Sequence, residues 1–455
     1  MFLHPWVAEK SFEVLSDLIP KSKGIGVVIG LPIRIKKEVY NSLAFVNDGK
    51  LEGFYCKQHL PKEGIHYEPR WFEEWPVNVI SEIEFNGHKY PIGHITSEFK
   101  GKKVGFEICE DAWVANRPAL HCTEKADIIL NPSASHFAFG KFQRRREIIR
   151  SSSAIFQCVY VYANQLGNEA GRVIYDGDVM VAQKGEMLAT ARRLSFSDYS
   201  LQSVEVDFED VGRSERNLFD QITEKNEEFP QAVSLALFDY LRKSHSDGFV
   251  LSLSGGADSS TIAVMVAEMV KRGIMELGGV PFCLKLGRND NSIPDLMKNL
   301  LTCAYQGTVN SSDETFESAK ALAESIGATF YQWEIDDQVA GAQEKIEKSI
   351  GRKLTWEKDD ITLQNIQARS RSPIIWMLAN LKNSLLLATS NRSEGSVGYA
   401  TMDGDTSGSI SPIAGVDKVF IREWLKYAEA ELGYKALSHV NSLAPTAELR
   451  PQDQT

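Results

Sequence analysis

No apolar run in the 455 residues comes near the ~20 that a membrane-spanning helix requires, so no helical span is expected. The start, Met1-Phe2-Leu3-His4-Pro5-Trp6, lacks the charged and apolar regions of a signal peptide. Cysteine is scarce. Cys56, Cys109, Cys122, Cys158, Cys283 and Cys303 form no Cys-x-x-Cys pair and no zinc spacing. They are expected to be free thiols, mostly buried, in a reducing cytoplasm. An excess of positive charge is also missing. Lys and Arg number 50 against 61 Asp and Glu, a formal net charge of −11. That excludes broad nonspecific nucleic-acid binding and leaves room for a local pocket that takes a small anion. With 43% hydrophobic and 24% charged residues the chain is expected to pack, and its length allows two or three domains.

What is present centres on one stretch. An apolar run, Gly248-Phe249-Val250-Leu251-Ser252-Leu253, feeds Ser254-Gly255-Gly256-Ala257-Asp258-Ser259-Ser260, and small residues follow through Met265. This reads as a buried strand, a tight loop and a helix N-terminus. Paired glycines let backbone amides approach a ligand, and a helix N-terminus adds free N–H groups and a positive dipole end. Ser254, Ser259 and Ser260 add hydroxyls, so the loop can cradle phosphate. It lacks the Gly-Lys-Ser/Thr of the common nucleoside-triphosphate loop. Asp258 would repel a phosphate unless a cation such as Mg²⁺ lay between them. The bland alternative is an ordinary strand-to-helix turn.

Before this stretch the pattern is mixed α/β. A helix is expected over 7–19, with Glu9, Glu13 and Asp17 on one side. Strands are expected over 26–30, 40–46, 51–55, 103–108, 128–130 and 159–163, with a turn at Asn47-Asp48-Gly49. Cys109 follows a strand and precedes Glu110-Asp111, a suitable place for a nucleophile. A lone cysteine is more often a core residue. Lys57 follows another strand, and its ordinary reading is a solvated lysine.

Residues 205–229 turn charged and lose periodicity, which reads as a connection between a first domain over 1–207 and a second over 230–455, with 208–229 as linker. A helix is expected over 231–244. After the phosphate loop come a helix to Lys271, a weakly patterned stretch over 278–294, a strand within 300–310, a helix capped by Ser311-Ser312-Asp313 and reaching Ile326, and a strand over 330–335. Asn365 and Arg369, four apart, share one helix face that could hold a phosphate or carboxylate; a solvated polar face fits as well. Ser384-Leu385-Leu386-Leu387-Ala388-Thr389 reads as a buried strand, and the glycine- and acid-rich loop after it suits metal and ribose contacts.

Ser-Gly-Gly-x-Asp-Ser resembles the pyrophosphate loop of the ATP pyrophosphatase group, which adenylates a substrate oxygen and lets a nucleophile displace AMP. Gly30-Leu31-Pro32, Tyr40-Asn41, Lys57-Gln58-His59-Leu60-Pro61, Glu68-Pro69-Arg70-Trp71-Phe72, Ile108-Cys109-Glu110-Asp111-Ala112-Trp113 and Asn131-Pro132-Ser133-Ala134-Ser135 resemble, in order, the nitrilase-type amidase domain of glutamine-dependent NAD synthetases. Gln364-Asn365-Ile366-Gln367-Ala368-Arg369, Thr389-x-Asn391-x-Ser393-Glu394, Gly398-Tyr399-x-Thr401, Gly404-Asp405 and Pro445-Thr446-Ala447-Glu448-Leu449-Arg450 resemble the synthetase domain of the same family. The resemblance implies a nitrilase-like α-β-β-α sandwich followed by a doubly wound, parallel-sheet domain like the adenine-nucleotide alpha hydrolases.

It also implies a ligase that amidates deamido-NAD to NAD with Mg-ATP, using ammonia that glutamine releases and a channel carries between domains. Cys109 would be the glutaminase nucleophile and Lys57 the oxyanion lysine. Glu68, Ser135 and Lys141 would line the glutamine pocket. Ser254, Gly255, Gly256, Asp258, Ser259, Thr389, Lys418 and Thr446 would contact ATP, and Asp258 and Glu394 would take Mg²⁺. Asn365, Arg369, Asp403 and Asp405 would bind deamido-NAD. A homo-oligomer is implied by the resemblance alone. The family's base glutamate lies on an early strand with no counterpart here, and its last helices lie beyond Thr455, so the chain is expected to be clipped at both ends and to lack the sandwich's first strand and helix. Ser409 stands where some members carry an Asp. The alternatives are an ammonia-only or inactive nucleotide-binding fragment, or another amide-forming ligase of the ATP group.

Overall fold

The computed structural model describes residues 2–121, 125–168, 173–290, 292–443 and 449. They form two compact units, Met1–Thr223 and Glu224–Thr455.

The first unit is a sandwich of two sheets with a helix on each outer face. One sheet has the strand order Gly26–Ile35, Glu38–Asn47, Lys50–Cys56, His88–Gly93, Ile80–Phe85. The other runs Asn217–Leu218, Glu186–Thr190, Val179–Gln183, Val159–Asn164, Ile128–Ser133, Lys102–Phe106, Ser97–Phe99. The two-residue period of a strand explains how one segment serves two cores. Leu43 and Phe45 pack with Tyr55, Val104, Phe106 and Ile108 between the sheets. Their neighbours Ala44 and Val46 point the other way, to Leu15 and the rim of the helix Pro5–Leu18. On the far face, Phe142 and Ile149 of the helix Lys141–Phe156 cover Tyr160, Tyr162 and Met180. Glu9, Glu13 and Asp17 are exposed, as their spacing predicts.

The first strand continues through Pro32 to Ile35. Among the described residues it pairs with Glu38–Asn47 alone, and the carbonyl of Asn41, opposite Pro32, accepts the Lys57 N–H instead, so the missing N–H of proline costs no ladder bond. Asp48 and Gly49 carry the expected turn, both with positive φ. The hairpin Ile80–Phe85/His88–Gly93 turns in the same way at Asn86-Gly87, a signal that the strand reading passed over.

Two boundaries need correction. Asn217–Leu218 pairs in parallel with Ala189–Thr190, so the first sheet system continues past residue 207. The helix expected over 231–244 begins at Lys225. Its charged first turn is a contact surface within the second unit, where Glu227 accepts from Arg272 at 3.2 Å and Glu228 is buried. Charge there marks a helix start.

The second unit is built on a four-stranded parallel sheet ordered Thr329–Glu334, Leu301–Gly307, Gly248–Ser252, Ser384–Leu387. The chain starts in the middle, moves outward one way, then returns to the other side of Gly248–Ser252. The order reverses between that strand and Ser384–Leu387, and a doubly wound sheet binds ligands at such a reversal, beyond the carboxyl ends of the strands. The phosphate loop leaves one of these strands and the Thr389 loop leaves the other. The stretch 278–294 holds the helix Gly279–Lys285 and the start of Ile293–Leu300, both too short for a clear helical period.

Candidate functional site

Each unit carries its own cluster. In the first, Lys57 and Cys109 each lie just past a strand, Lys50–Cys56 and Lys102–Phe106. Cys109 adopts φ +46°, an uncommon backbone state for a residue with a side chain. The Asn131 side-chain oxygen accepts its N–H at 3.2 Å and so helps to hold that turn. Lys57 is buried, which overturns the solvated reading of that residue. Its Nζ donates to both carboxylate oxygens of Glu68 at 2.8 Å. A buried ammonium is tolerated only when paired in this way. Burial pushes the Cys109 thiol up, the Lys57 ammonium pulls it back, and Glu68 pushes it up again. These opposed influences put the three groups in one field.

Lys141 belongs to the same cluster. Burial and Arg145 pull its ammonium down, and Cys109 acts against them. Its Nζ lies 3.3 Å from Nδ1 of His136, which is 2.8 Å from Nε2 of His66. Burial, with Lys141 next, pushes His136 down to about 4, so the ring is neutral at neutral pH. Ser135 is fixed through its backbone. Its N–H donates to the Asn164 side-chain oxygen at 2.8 Å, and the Asn164 amide donates back to its carbonyl at 2.8 Å. The Arg145 guanidinium donates to the Ser135 hydroxyl at 3.3 Å and is held by Asp176 and Asp178. The His59 ring lies with Nε2 at 3.0 Å from the Asn116 carbonyl.

In the second unit the loop Ser254-Gly255-Gly256 enters the helix Ala257–Leu277. Gly255 has φ +81°, and a Cβ on it would overlap the Thr315 carbonyl, so only glycine fits. The Ser254 hydroxyl lies 3.1 Å from the Ser259 hydroxyl and accepts the Gly256 N–H at 3.3 Å. Asp258 stands in the first turn, where the helix dipole favours a carboxylate. Lys418 Nζ donates to its Oδ2 and lies 3.6 Å from Glu394 Oε1. Asn391 ties the two acids together. Its amide donates to Asp258 Oδ1 at 3.0 Å, and its side-chain oxygen accepts the Glu394 N–H at 3.0 Å. Burial and the Asp258 charge push the Glu394 carboxyl up, and Lys418 pulls it back.

Two carboxylates already share one cation here, an ammonium. Hard oxygen donors of this kind suit Mg²⁺, and phosphate oxygens and water would complete its six ligands. Among the described residues no group of three or more His, Cys, Asp or Glu side chains could hold a metal by itself.

Asn365 and Arg369 do share one face, as their spacing predicts, and both grip the loop that follows. The Thr401 hydroxyl donates to Asn365 Oδ1 at 3.0 Å, and Arg369 Nε donates to the Met402 carbonyl at 2.9 Å. Asp403 and Asp405 are exposed on that loop, and the Asp405 carbonyl accepts the Thr389 N–H at 3.3 Å. Ser409 extends the sheet, with its N–H on the Leu386 carbonyl at 2.7 Å. Thr446 lies outside the described residues. Asp111, Asn131 and Asn391 carry contacts that their motifs contained without assigning, and His136 follows directly on the motif that ends at Ser135. The Asn391-x-x-Glu394 spacing before a helix is a legible capping signal.

Residues 230–455 match the NAD synthase family and residues 5–216 the carbon-nitrogen hydrolase family. A glutamine-dependent NAD(+) synthetase of Oryza sativa subsp. indica is 30% identical over 99% of this chain and 71% of its own length. The chain belongs to the glutamine-dependent NAD(+) synthetases. A crystal structure of such a synthetase from Cytophaga hutchinsonii superposes with a TM-score of 0.86 at 48% identity, covering 98% of this chain and 76% of that one. Another from Acinetobacter baumannii, in complex with ADP, gives 0.76 at 26% identity over 98% and 76%. As a glutamine-dependent NAD(+) synthetase the chain is a ligase with a glutaminase-type and a synthetase-type unit, and the family uses ATP as co-substrate. Neither an inactive fragment nor a ligase of another substrate is favoured. Among the described residues no helix is long and apolar enough to cross a membrane.

Proposed function

We propose that the first unit hydrolyses glutamine at Cys109 and that the second uses the released ammonia to amidate deamido-NAD. The Cys109 thiolate attacks the glutamine amide carbon. Buried Lys57 supports the oxyanion, an electrostatic contribution of typically ~3 kcal/mol from one donor. The proton that the Cys109 thiol gave up ends on the amide nitrogen, which leaves as ammonia, and water then cleaves the glutamyl thioester to glutamate and the free thiol. Glu68 orients Lys57 and, with Ser135 and Lys141, lines the glutamine pocket.

In the second unit the Ser254-Gly255-Gly256 amides and the Ser259 hydroxyl receive the ATP phosphates. Asp258 and Glu394 would hold Mg²⁺, which would neutralise charge on the phosphates. Thr389, Lys418 and Thr446 contact ATP, and Asn365, Arg369, Asp403 and Asp405 contact the dinucleotide. The nicotinate carboxylate attacks the α-phosphorus and pyrophosphate leaves. Ammonia then attacks the acyl-adenylate, and AMP leaves. A bare carboxylate is a poor electrophile, and adenylation supplies the leaving group. Free cysteines support a cytoplasmic setting, and the family resemblance supports a homo-oligomer.

The observation that carries the reading is the meeting of Asp258, Glu394 and Lys418 at the reversal of the parallel sheet. The test is NAD formation from deamido-NAD and Mg-ATP, with glutamine and with ammonium in parallel. Activity with both is expected. Activity with ammonium alone would remove the glutaminase half, and activity with neither would remove the whole reading.

A further inference from the structure

Asp111 lies two residues beyond the nucleophile and is completely buried. Its Oδ1 accepts the Gln58 N–H at 3.1 Å and the His59 N–H at 2.9 Å. Its Oδ2 accepts the Tyr55 hydroxyl at 2.9 Å and the Ile108 N–H at 3.0 Å. Three of these donors flank Lys57 in sequence, and the fourth immediately precedes Cys109. The Asp111 N–H returns a bond to the Ile108 carbonyl at 3.1 Å, which closes the turn that bears Cys109.

We propose that Asp111 is a positioning residue of the glutaminase, whose carboxylate clasps the Lys57 segment to the Cys109 turn and so sets the ammonium relative to the sulfur. The proposal rests on the reading of Cys109 and Lys57 as a glutaminase pair. Asp111 does not touch the reacting atoms; it acts through the two groups that do.

The chemistry of the contact singles out a carboxylate. An ionised carboxylate only accepts and has about four acceptor sites, which four donors fill. An asparagine of the same shape must turn an NH₂ toward one of these pairs; placed on the Oδ2 side it can be accepted by a rotated Tyr55 hydroxyl but leaves the Ile108 N–H without a partner, and placed on the Oδ1 side it strands both the Gln58 and His59 N–H groups. The charge is held against a cost. Burial pushes the Asp111 carboxyl up to about 7, with the Glu107 charge adding to it, while the N–H donors and Lys57 pull it back. Asp111 therefore occupies a site where a neutral side chain would be easier to bury. The Lys57 segment has a further tie, its N–H on the Asn41 carbonyl at 2.9 Å, so loss of the clasp would shift the segment without releasing it.

The test is Asp111→Asn in the full chain, beside Lys57→Ala and Cys109→Ala. Ammonium-driven synthesis is expected to stay near the parent rate, because it uses the other unit. Glutamine-driven kcat is expected to fall roughly 10²-fold, as on loss of an oxyanion donor, with KM for glutamine little changed. The deciding readout is the pH dependence of Cys109 alkylation by iodoacetamide. If Asp111 positions Lys57, the midpoint moves up by about one pH unit, since the half-buried sulfur keeps its other surroundings and loses its cation. Adding Lys57→Ala then moves it no further. If Asp111 only keeps the region folded, its loss exposes the sulfur and the midpoint falls toward that of a free thiol. A fall, or an unchanged midpoint, overturns the proposal. If Cys109→Ala keeps glutamine-driven synthesis, the glutaminase reading fails by itself, and the alkylation midpoint still decides what Asp111 does.

Discussion

Lys418 reaches Asp258 across 160 residues of sequence, from the first residue of one helix to the first turn of another. The same ammonium lies 3.6 Å from Glu394. In the functional reading these are the two carboxylates that hold Mg²⁺. The ammonium and the metal therefore compete for the same oxygens, and Mg-ATP must draw Lys418 away, onto the phosphates. The expected consequence has two signs. Lys418→Met should tighten Mn²⁺ binding to the nucleotide-free protein roughly tenfold, equivalent to ~1.4 kcal/mol, and should weaken ATP binding. Electron paramagnetic resonance of free Mn²⁺ and calorimetry with ATP read the two effects. Weaker Mn²⁺ binding would mean that Lys418 does not occupy the metal's place.

The thiol of Cys109 offers a second pair of opposite signs. Burial raises it, Lys57 lowers it and Glu68 raises it. Lys57→Ala should therefore move the alkylation midpoint up, and Glu68→Gln should move it down. Glutamine-driven synthesis should fall in both, by roughly 10²-fold or more for Lys57→Ala. Ammonium-driven synthesis should survive. Shifts of the same sign in the two variants would show that the groups do not act on the sulfur through their charges.

Much of this was legible in the chain because local rules and chemistry coincide. The run 248–253 followed by Ser254-Gly255-Gly256 is at once a strand, a turn that only glycine can make, and a helix start. The spacing of Asn365 and Arg369 placed them on one face, though what that face holds is a loop of the same unit. What stayed hidden depends on partners far away in sequence. Asp111 reads as one acid beside another until the sandwich brings Gln58 and His59, 53 and 52 residues away in sequence, to it. Glu227 reads as linker charge until Arg272 appears opposite it. Lys57 reads as a surface lysine by composition, and only the sandwich buries it.

His136 links this packing to acid stability. Its ring is pushed down to about 4 by burial, with Lys141, His66 and Arg145 acting the same way and Asp176 against them. The unfolded chain binds a proton near the ordinary value of 6.5, so between about 6.5 and 4 it holds more protons at this site than the folded chain does. Stability from this residue is complete above 6.5 and is lost as pH falls through that window. His136→Asn should flatten the acid limb there, as read by urea unfolding at a series of pH values. An unchanged slope would place the acid sensitivity elsewhere.

The two glycines of the phosphate loop should separate stability from function. Gly255 has φ +81°, and a Cβ on it would strike the Thr315 carbonyl of the helix Asp313–Ile326. Backbone cannot yield as a flexible side chain can, so Gly255→Ala should destabilise the second unit by more than ~2 kcal/mol. Gly256 has φ −84°, and its nearest neighbour to an added Cβ is the Ser254 hydroxyl at 3.4 Å. Gly256→Ala should therefore fold with stability within ~1 kcal/mol of the parent. Its methyl would still stand at the N-cap of the helix, where phosphate oxygens would have to approach the amides. ATP affinity should fall in Gly256→Ala while the denaturation midpoint holds. If ATP binds Gly256→Ala as it binds the parent, the phosphates do not lie against this turn, and the assignment of the loop must change.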